Sequence, residues 1–543
     1  MKWGMSGKGD LWRKYCSFLE KPFHEQVEYS EAQMKKYFEK WRKTKTARYL
    51  MKKYQRSFEK LEDAPLTTYG DYPILHEFGA KIDELAAKKP RKRGERFFDY
   101  YSRLFDELKP MLNGWIVGGF GYAAKTSGTT GKPKWIVHSV TTLKNYEICG
   151  VTLTGLMCSE RWGETKVKEG ERGLNVAAPI PYTSGWGVFL GSRHFEVVPS
   201  LESVEEVTDM GRRLWITLRK IEEGSKPVFA AGVASFFQLV CKYFKNRSSI
   251  YREYYESLNF GLAKFYMLFK WLSTRLFNKP YEKIRDFLPL KGLGLSGVNI
   301  TPYRDFFLRE FEVEPTNLYC STEFPVIMYG PPDRKTYLMP ELRIGYYEFL
   351  DEEGNVKKID ELKRGETYEL IGTSYGGILA RYRMEDLLTV VDFRDDGMPY
   401  FTFKSRIREM LDFYGYFRIT ESTFSRALVN AGLKYFEKWA VTKEFTREGE
   451  RLLVLMERPW EHSETKTARI IFENLLQTFP DFQSYVMDFS VKNPHEIIRV
   501  EYLSKGAFLK YSLSKMRAGA EIGQLKPPKI IPPERKDVLD LLR

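Results

Sequence analysis

Apolar residues recur along this chain with two different spacings, which separate helical stretches from strands. Within residues 1–62 they recur every three or four positions, as at Met34, Tyr37, Phe38 and Trp41. This spacing is typical of amphipathic helices, so it predicts two or three helices that form an N-terminal helical layer. After this layer the pattern changes to short apolar runs that alternate with helical stretches.

The alternation of strand, loop and helix predicts an α/β fold with its loops collected along one edge of the sheet. The predicted strands are 173–178, 227–232, 292–297 and 317–324, and the predicted helices are 141–156, 234–243 and 302–311. Apolar residues near these loops, Tyr182, Trp186, Phe229 and Val298, are candidates for a substrate pocket or for ordinary core packing.

The second half of the chain turns to β structure and then to a separate α+β pattern. Strands are expected at 345–350 and 367–372, and 387–393 pairs with 399–403 across the turn Asp395-Asp396-Gly397. Beyond Arg406 the pattern predicts helices at 421–430, 464–479 and 507–516, and strands at 439–445, 451–456, 484–491 and 497–503. We therefore predict a large N-terminal domain (1–405) of several subdomains and a smaller, mobile C-terminal domain (406–543).

Length and composition exclude several classes of protein. A chain of 543 residues with 43% apolar residues predicts two or more compact domains. No apolar run reaches the ~18–20 residues of a membrane helix, and the N-terminus lacks the apolar core of a signal peptide, so a cytoplasmic location is expected. Five scattered cysteines and six histidines without ligand spacing argue against disulfides and zinc.

The net charge of +14 favours a partner that carries phosphate or carboxylate groups. Its densest run, residues 88–96, contains Pro90 and Gly94, as a solvated loop would. We interpret the charge as a solvated surface, and keep RNA binding as an alternative that salt-sensitive binding would reveal.

The densest chemistry lies in residues 125–134, Lys-Thr-Ser-Gly-Thr-Thr-Gly-Lys-Pro-Lys, between the apolar runs 115–117 and 135–137. Glycines expose consecutive N–H groups, hydroxyls add donors and lysines add positive charge, so this loop at a hairpin tip is a candidate polyphosphate site. A Walker A loop is excluded, because two residues instead of four separate Gly128 from Gly131 and a strand pattern follows where a helix is required.

Further motifs follow in a specific order: Tyr319-Cys320-Ser321-Thr322-Glu323, then Arg381-Tyr382-Arg383-Met384-Glu385-Asp386, then Arg406. Together with the loop they resemble the nucleotide-binding motifs of the adenylate-forming superfamily. The resemblance implies ATP bound through Ser127, Gly128, Thr129, Thr130, Gly131, Lys132, Tyr319, Ser321, Thr322, Asp386 and Arg406, with Mg²⁺ held by Glu323. A carboxylate accepts hydrogen bonds only, which suits Asp386 to the two ribose hydroxyls.

The same resemblance implies roles in the reaction itself. The hydroxyl of Thr322 would meet the α-phosphate, Arg406 would act at the hinge, and Lys526 would bridge the substrate carboxylate and the α-phosphate. A lysine neutralises the charge that builds up at a transferring phosphoryl group. Lys526 stands before two prolines, so a surface turn is the alternative interpretation of this residue.

The stretches 346–350, 365–370, 376–383 and 519–529 narrow the resemblance to the auxin-responsive acyl-acid amido synthetases. Two departures stand out. Glu385 replaces the family's usual glycine, and Gly128-Thr129-Thr130-Gly131-Lys132 is closer to the phosphate loop of phenylacetate-CoA ligases. The resemblance implies an ATP- and Mg²⁺-dependent ligase that activates a small carboxylic acid and transfers it to an amine. Transfer to coenzyme A is the alternative, and a non-catalytic nucleotide- or RNA-binding protein is a third.

Overall fold

The computed structural model describes most of the chain. The described residues are 11–126, 133–205, 216–217, 220–221, 223–234, 237, 241, 248, 251–252, 255, 261–277, 282–296, 300, 304–407, 410–413, 417–433, 438–446, 450–458, 461–488, 491, 493–517, 528–533 and 535–543. Contacts divide the chain into two compact units. The first comprises Met1–Ala234 with Lys283–Phe403, and the second comprises Ser235–Glu282 with Lys404–Arg543. The predicted domain division between residues 405 and 406 stays a prediction.

The described α-helices follow the predicted periodicity closely in the first unit and at the C-terminus. Their bounds are Phe23–Trp41, Lys45–Tyr54, Pro73–Lys88, Phe97–Leu108, Val140–Met157, Thr183–Gly191, Leu201–Glu205, Leu262–Phe277, Arg304–Phe311, Glu421–Asn430, Glu464–Thr478, Pro480–Asp488, Ala507–Arg517 and Lys536–Leu542. The helix expected at 234–243 lies largely outside the described residues.

The bounds of the helix Lys45–Tyr54 are set by the residues that cap its two ends. The hydroxyl of Thr44 accepts a hydrogen bond from the N–H of Ala47 and so caps the helix Lys45–Tyr54. That helix ends at Gln55, whose φ of 52° stops the helical hydrogen-bond pattern. Tyr37, Phe38 and Trp41 are buried on one face, as their spacing predicted.

A seven-stranded sheet forms one core of the first unit. In spatial order its strands are Glu196–Val198, Arg172–Leu174, Phe229–Val233, Gly292–Ser296, Thr316–Tyr319, Met328–Tyr329 and Met339–Pro340. The first five are parallel and the last two antiparallel. The helix Val140–Met157 packs so closely on the sheet that a Cβ atom at Gly292 would lie 2.6 Å from the Cys158 sulfur. The predicted α/β fold class is confirmed, although the strand expected at 173–178 ends at Leu174.

A five-stranded antiparallel sheet follows in the same unit, except for residues 404–406 at the end of its last strand, which belong to the second unit. Its spatial order is Val356–Lys357, Gly345–Leu350, Thr367–Ser374, Tyr382–Phe393 and Pro399–Arg406. The fourth strand begins at Tyr382, five residues before the predicted start, so Tyr382–Asp386 of the motif lie within the strand and Arg381 directly precedes it. The N–H of Gly397 donates to the carbonyl of Arg394 and closes the predicted turn.

The second unit contains a mixed four-stranded sheet. Its spatial order is Ile498–Leu503, Glu450–Glu457, Trp439–Phe445 and Ile530–Ile531. The strand expected at 484–491 is wrong, because the helix Pro480–Asp488 covers most of it. Proline is compatible with the first turn of a helix, and Phe482 and Tyr485 recur at helical spacing and are buried. None of the described helices is long and apolar enough to cross a bilayer.

Candidate functional site

An antiparallel hairpin brings the two sides of the predicted phosphate loop together. Its strands, Phe120–Lys125 and Trp135–Ser139, pair with Lys125 opposite Trp135. The first strand begins at Phe120, so the strand expected at 115–117 is wrong, whereas the apolar run after the loop does form the second strand. Residues 127–132, which include Ser127, Gly128, Thr129, Thr130, Gly131 and Lys132, lie outside the described residues, as does Lys526.

The hairpin is closed at the base of this loop. The N–H of Thr126 donates to the carbonyl of Lys134 at 2.8 Å, and the Thr126 hydroxyl accepts from the N–H of Lys134 at 2.8 Å. Lys125 is fixed by the carboxylate of Asp83 at 2.9 Å, which also accepts from the indole N–H of Trp135. Lys125 is therefore engaged in an ion pair with Asp83. Lys134 lies over the ring of Tyr69.

The Thr322-Glu323 motif forms the tip of a tight turn after the strand Thr316–Tyr319. The backbone N–H of Ser321 donates to the carbonyl of Phe324, and the Ser321 hydroxyl accepts from the N–H of Phe324 at 2.9 Å. Ser321 therefore closes the turn that presents Thr322 and Glu323, in addition to its predicted contact with ATP, which stays a prediction.

Asp386 lies 2% exposed on the neighbouring sheet and contacts the first residue of the same motif. The hydroxyl of Tyr319 donates to Oδ2 of Asp386 at 2.6 Å. This hydrogen bond joins the aromatic residue and the predicted ribose ligand, which are 67 positions apart in the chain. Tyr319 packs against Phe403, with 6.0 Å between the ring centroids.

The backbone conformation of Glu385 sets the direction of the neighbouring Asp386 side chain. Glu385 has a φ of 57°, in the left-handed region that favours glycine. It lies where the pairing between strands Thr367–Ser374 and Tyr382–Phe393 shifts register, which is the signature of a β-bulge. The bulge re-aims the next residue, Asp386, and holds Glu385 in a backbone conformation that favours glycine.

Because a left-handed conformation costs a residue with a Cβ atom about 1–2 kcal/mol, we expect Glu385→Gly to raise the free energy of unfolding by about 1 kcal/mol. Glu385→Ala is the matched control, since alanine removes the carboxylate but keeps the strain. Urea unfolding of both variants measures the difference. An equal effect of glycine and alanine would attribute any change to the lost charge and would contradict strain at this position.

Glu323 and the phosphate-loop hairpin meet at a pair of tyrosines. Burial raises the pKa of Tyr382, and the nearby carboxylate of Glu323 raises it further. Burial also raises the pKa of Tyr69, with Glu323 contributing again. Tyr69 in turn donates a long hydrogen bond of 3.4 Å to the carbonyl of Trp135, and Lys134 lies 5.1 Å from its ring centroid. The predicted metal ligand and the end of the phosphate loop thus share one neighbourhood.

Arg406 ends the strand Pro399–Arg406 and is exposed. It belongs to the second unit, which starts at Lys404 at this point of the chain. Of the apolar pocket candidates, Trp186 is buried and donates to the carbonyl of Ala123, and Phe229 packs edge-on against Phe195. Both residues therefore have core roles, while Val298 lies outside the described residues.

Sequence reasoning missed two residues that organise this neighbourhood, Tyr69 and His138. The imidazole of His138 lies 2.8 Å from the carbonyl of Thr322. Tyr69 precedes the phosphate loop by more than fifty positions, so the sequence offered no signal for it. His138 follows the phosphate loop closely, and its place in a buried strand was the available signal.

Among the described residues, no group of three or more acidic, histidine or cysteine side chains is arranged to hold a metal ion. Glu323, the predicted metal ligand, would thus act as a single protein carboxylate, and it lies partly exposed beside the phosphate-loop hairpin. One protein carboxylate with the remaining positions filled by phosphate oxygens and water is a usual way of binding Mg²⁺. The donor set fits Mg²⁺ and does not fit a metal that requires a full protein cage.

Known structures resemble this architecture over its whole length. A structure of AtGH3.15 acyl acid amido synthetase in complex with 2,4-DB superposes with a TM-score of 0.66 at 15% identity, covering 100% of this chain and 97% of that one. The chain has the fold of an acyl acid amido synthetase. A second structure of GH3.15 acyl acid amido synthetase gives a TM-score of 0.62 at 16% identity, covering 94% of this chain and 92% of that one.

Residues 338–406 match the GH3 family central domain. This range contains Asp386 and ends at Arg406, so two of the predicted site residues lie within the matched segment. The resemblance expected from the sequence is confirmed. No curated protein matches the chain at a significant level.

Proposed function

We propose that this protein is an ATP-dependent ligase that activates a small carboxylic acid as an acyl adenylate and transfers the acyl group to an amine. One observation carries the proposal: the hydrogen bond from Tyr319 to Asp386 joins two motifs that resemble nucleotide-binding elements. The acyl acid amido synthetase fold supports the same conclusion.

In this proposal different site residues bind the ribose, the phosphates and the metal ion of ATP. Asp386 accepts hydrogen bonds from the ribose hydroxyls, and residues 127–132 bind the β- and γ-phosphates, with Lys134 adding positive charge beside them. Glu323 would hold Mg²⁺. Mg²⁺ held there would neutralise phosphate charge, and the residues of the protein would contribute mainly by positioning the reactants.

The reaction has two balanced steps. A carboxylate oxygen of the acid attacks the α-phosphorus, and the bond from the α-phosphorus to the bridging oxygen breaks, which releases pyrophosphate. Thr322 and Lys526 would stabilise the charge on the α-phosphate, and Arg406 would act at the hinge as the C-terminal domain moves. The amine nitrogen then attacks the acyl carbon, loses a proton to solvent and releases AMP.

The amine acceptor follows from the resemblance of residues 345–406 to acyl-acid amido synthetases. Coenzyme A is the second candidate, because the loop Gly128-Thr129-Thr130-Gly131-Lys132 is spelled as in phenylacetate-CoA ligases. Both acceptors share the adenylation step, so a test of the first step leaves the second open. Because ATP and amino acids are abundant in the cytoplasm, we propose that the protein acts there.

We expect the protein to exchange labelled pyrophosphate into ATP only when a suitable acid and Mg²⁺ are present. A panel of aromatic and aliphatic acids identifies the substrate, and hydroxylamine traps the activated acyl group. Acyl adenylate formed in the first step should then disappear on addition of amino acids, and consumption by coenzyme A alone would favour the ligase alternative. Salt-sensitive RNA binding without any exchange would contradict the proposal and favour a nucleic-acid-binding protein.

A further inference from the structure

His138 lies between the phosphate-loop hairpin and the Thr322-Glu323 turn, and its ring contacts both. It lies in the strand Trp135–Ser139, 3% exposed, three residues after the strand begins. Its cross-strand partner is Tyr122, and the two rings stack with 4.5 Å between centroids and 15° between planes. The stack fixes the plane of the imidazole, so its ring nitrogens have defined directions.

One of those nitrogens contacts the Thr-Glu turn. Nε2 of His138 lies 2.8 Å from the carbonyl oxygen of Thr322, 184 positions away in the chain. A carbonyl oxygen accepts hydrogen bonds only, so Nε2 must carry the proton and donate it. Burial lowers the pKa of His138 to about 4, so the ring is neutral at physiological pH with Nδ1 unprotonated.

This hydrogen bond holds the partly exposed tip of the turn. The Ser321–Phe324 backbone and hydroxyl bonds close the base of the turn, whereas Thr322 and Glu323 form its tip. His138 holds the carbonyl at that tip from the hairpin that also carries the phosphate loop. The hairpin itself is fixed on the opposite side, where the N–H of Lys125 donates to the carbonyl of Pro181 at 3.0 Å.

We propose that His138 is a positioning residue that fixes the Thr322-Glu323 turn against the hairpin strands Phe120–Lys125 and Trp135–Ser139, so that Glu323 would be held in place for the Mg²⁺ of a bound nucleotide. This inference rests on the proposed function. His138 acts through the backbone of Thr322 and touches neither nucleotide nor metal. The paired strands Phe120–Lys125 and Trp135–Ser139 thereby hold the turn that carries Glu323.

A histidine that served only to fill the core would be replaceable by phenylalanine, which keeps the stack on Tyr122 and lacks the donor. Glutamine keeps an N–H group at a similar reach and lacks the ring. The two variants therefore separate packing from donation. Tyr122→Phe is the matched control, since the Tyr122 hydroxyl is buried without a partner among the described residues and its loss leaves the stack intact.

The experiment measures acid-dependent pyrophosphate exchange at varied Mg²⁺ with the full chain. We expect His138→Phe to raise the Mg²⁺ concentration for half-maximal exchange about 3- to 10-fold, the range of one lost neutral hydrogen bond. His138→Gln should lie closer to the wild type, and Tyr122→Phe should match it. Wild-type exchange combined with an unchanged Mg²⁺ requirement in His138→Phe would overturn the positioning role and leave the proposed function standing. Absence of exchange in the wild type would instead overturn the proposed function.

A second measurement does not depend on activity. Nitrogen-15 spectra of the wild-type imidazoles, with His138 assigned by comparison with His138→Gln, should show a neutral ring protonated at Nε2 between pH 6 and 8. A ring that carries its only proton on Nδ1 would overturn the hydrogen bond to Thr322, even if His138→Phe failed to fold.

Discussion

Replacing Asp386 by alanine should lower kcat/KM for ATP in acid-dependent pyrophosphate exchange by about 100- to 10,000-fold, the loss of two charge-assisted hydrogen bonds. Asp386 is buried beside Tyr319, so the substitution also leaves the Tyr319 hydroxyl without its carboxylate partner. Most of the effect should appear in KM, because the ribose is bound equally in the ground state and the transition state.

Asp395→Ala is the matched control for this prediction. Asp395 is an exposed carboxylate in the turn that joins the strand of Asp386 to the next strand. It should retain wild-type exchange. Tyr319→Phe separates the two consequences of the substitution, since it removes only the Tyr319 hydroxyl and keeps the Asp386 carboxylate for the ribose. Wild-type exchange by Asp386→Ala would contradict the assignment of this residue to the nucleotide.

The sequence predicted the elements that depend on local pattern. The strand after the phosphate loop, the helix Glu421–Asn430 and the turn at Asp395–Gly397 were expected where they occur, because periodicity and turn residues act within a few positions. The strand expected at 484–491 failed for the same reason, since a short apolar run fits strand and helix alike and Pro480 decided the outcome.

Contacts between residues far apart in the chain could not be predicted from the local sequence pattern. The donors and acceptors of the Tyr319–Asp386 and His138–Thr322 hydrogen bonds belong to different motifs, and only the packing of sheets brings them together. Glu385 could be predicted in part from the sequence. The resemblance identified it as an unusual residue at a glycine position, and the structure supplied the bulge and the positive φ that explain why the position favours glycine.

The ion pair of Glu341 and Arg343 is built into the core of the first unit. Glu341 is fully buried and Arg343 is 12% exposed. The guanidinium binds both carboxylate oxygens, with Nε to Oε1 at 2.8 Å and Nη2 to Oε2 at 2.6 Å. Burial alone would raise the pKa of Glu341, but the charge and hydrogen bonds of Arg343 more than offset it and keep that pKa below its usual value. Nη1 of Arg343 also donates to the carbonyl of Tyr15 in the N-terminal segment.

Arg343→Met should therefore lower the free energy of unfolding by about 3–5 kcal/mol, because Glu341 is left buried without its partner. Chemical denaturation followed by tryptophan fluorescence measures the loss. Adding Glu341→Gln to the same chain should recover part of it, since the buried charge is removed. Arg334→Met is the exposed control: its partner Asp392 is also partly accessible, so a loss below about 1 kcal/mol is expected. Equal losses in Arg343→Met and Arg334→Met would contradict a special role for the buried pair.

The pKa of Glu341 in the folded state is lower than in the unfolded state, which makes the stabilisation by this ion pair depend on pH. The pair stabilises the fold fully above the unfolded pKa of about 4.3, and this stabilisation is lost as the pH falls through the folded-state pKa.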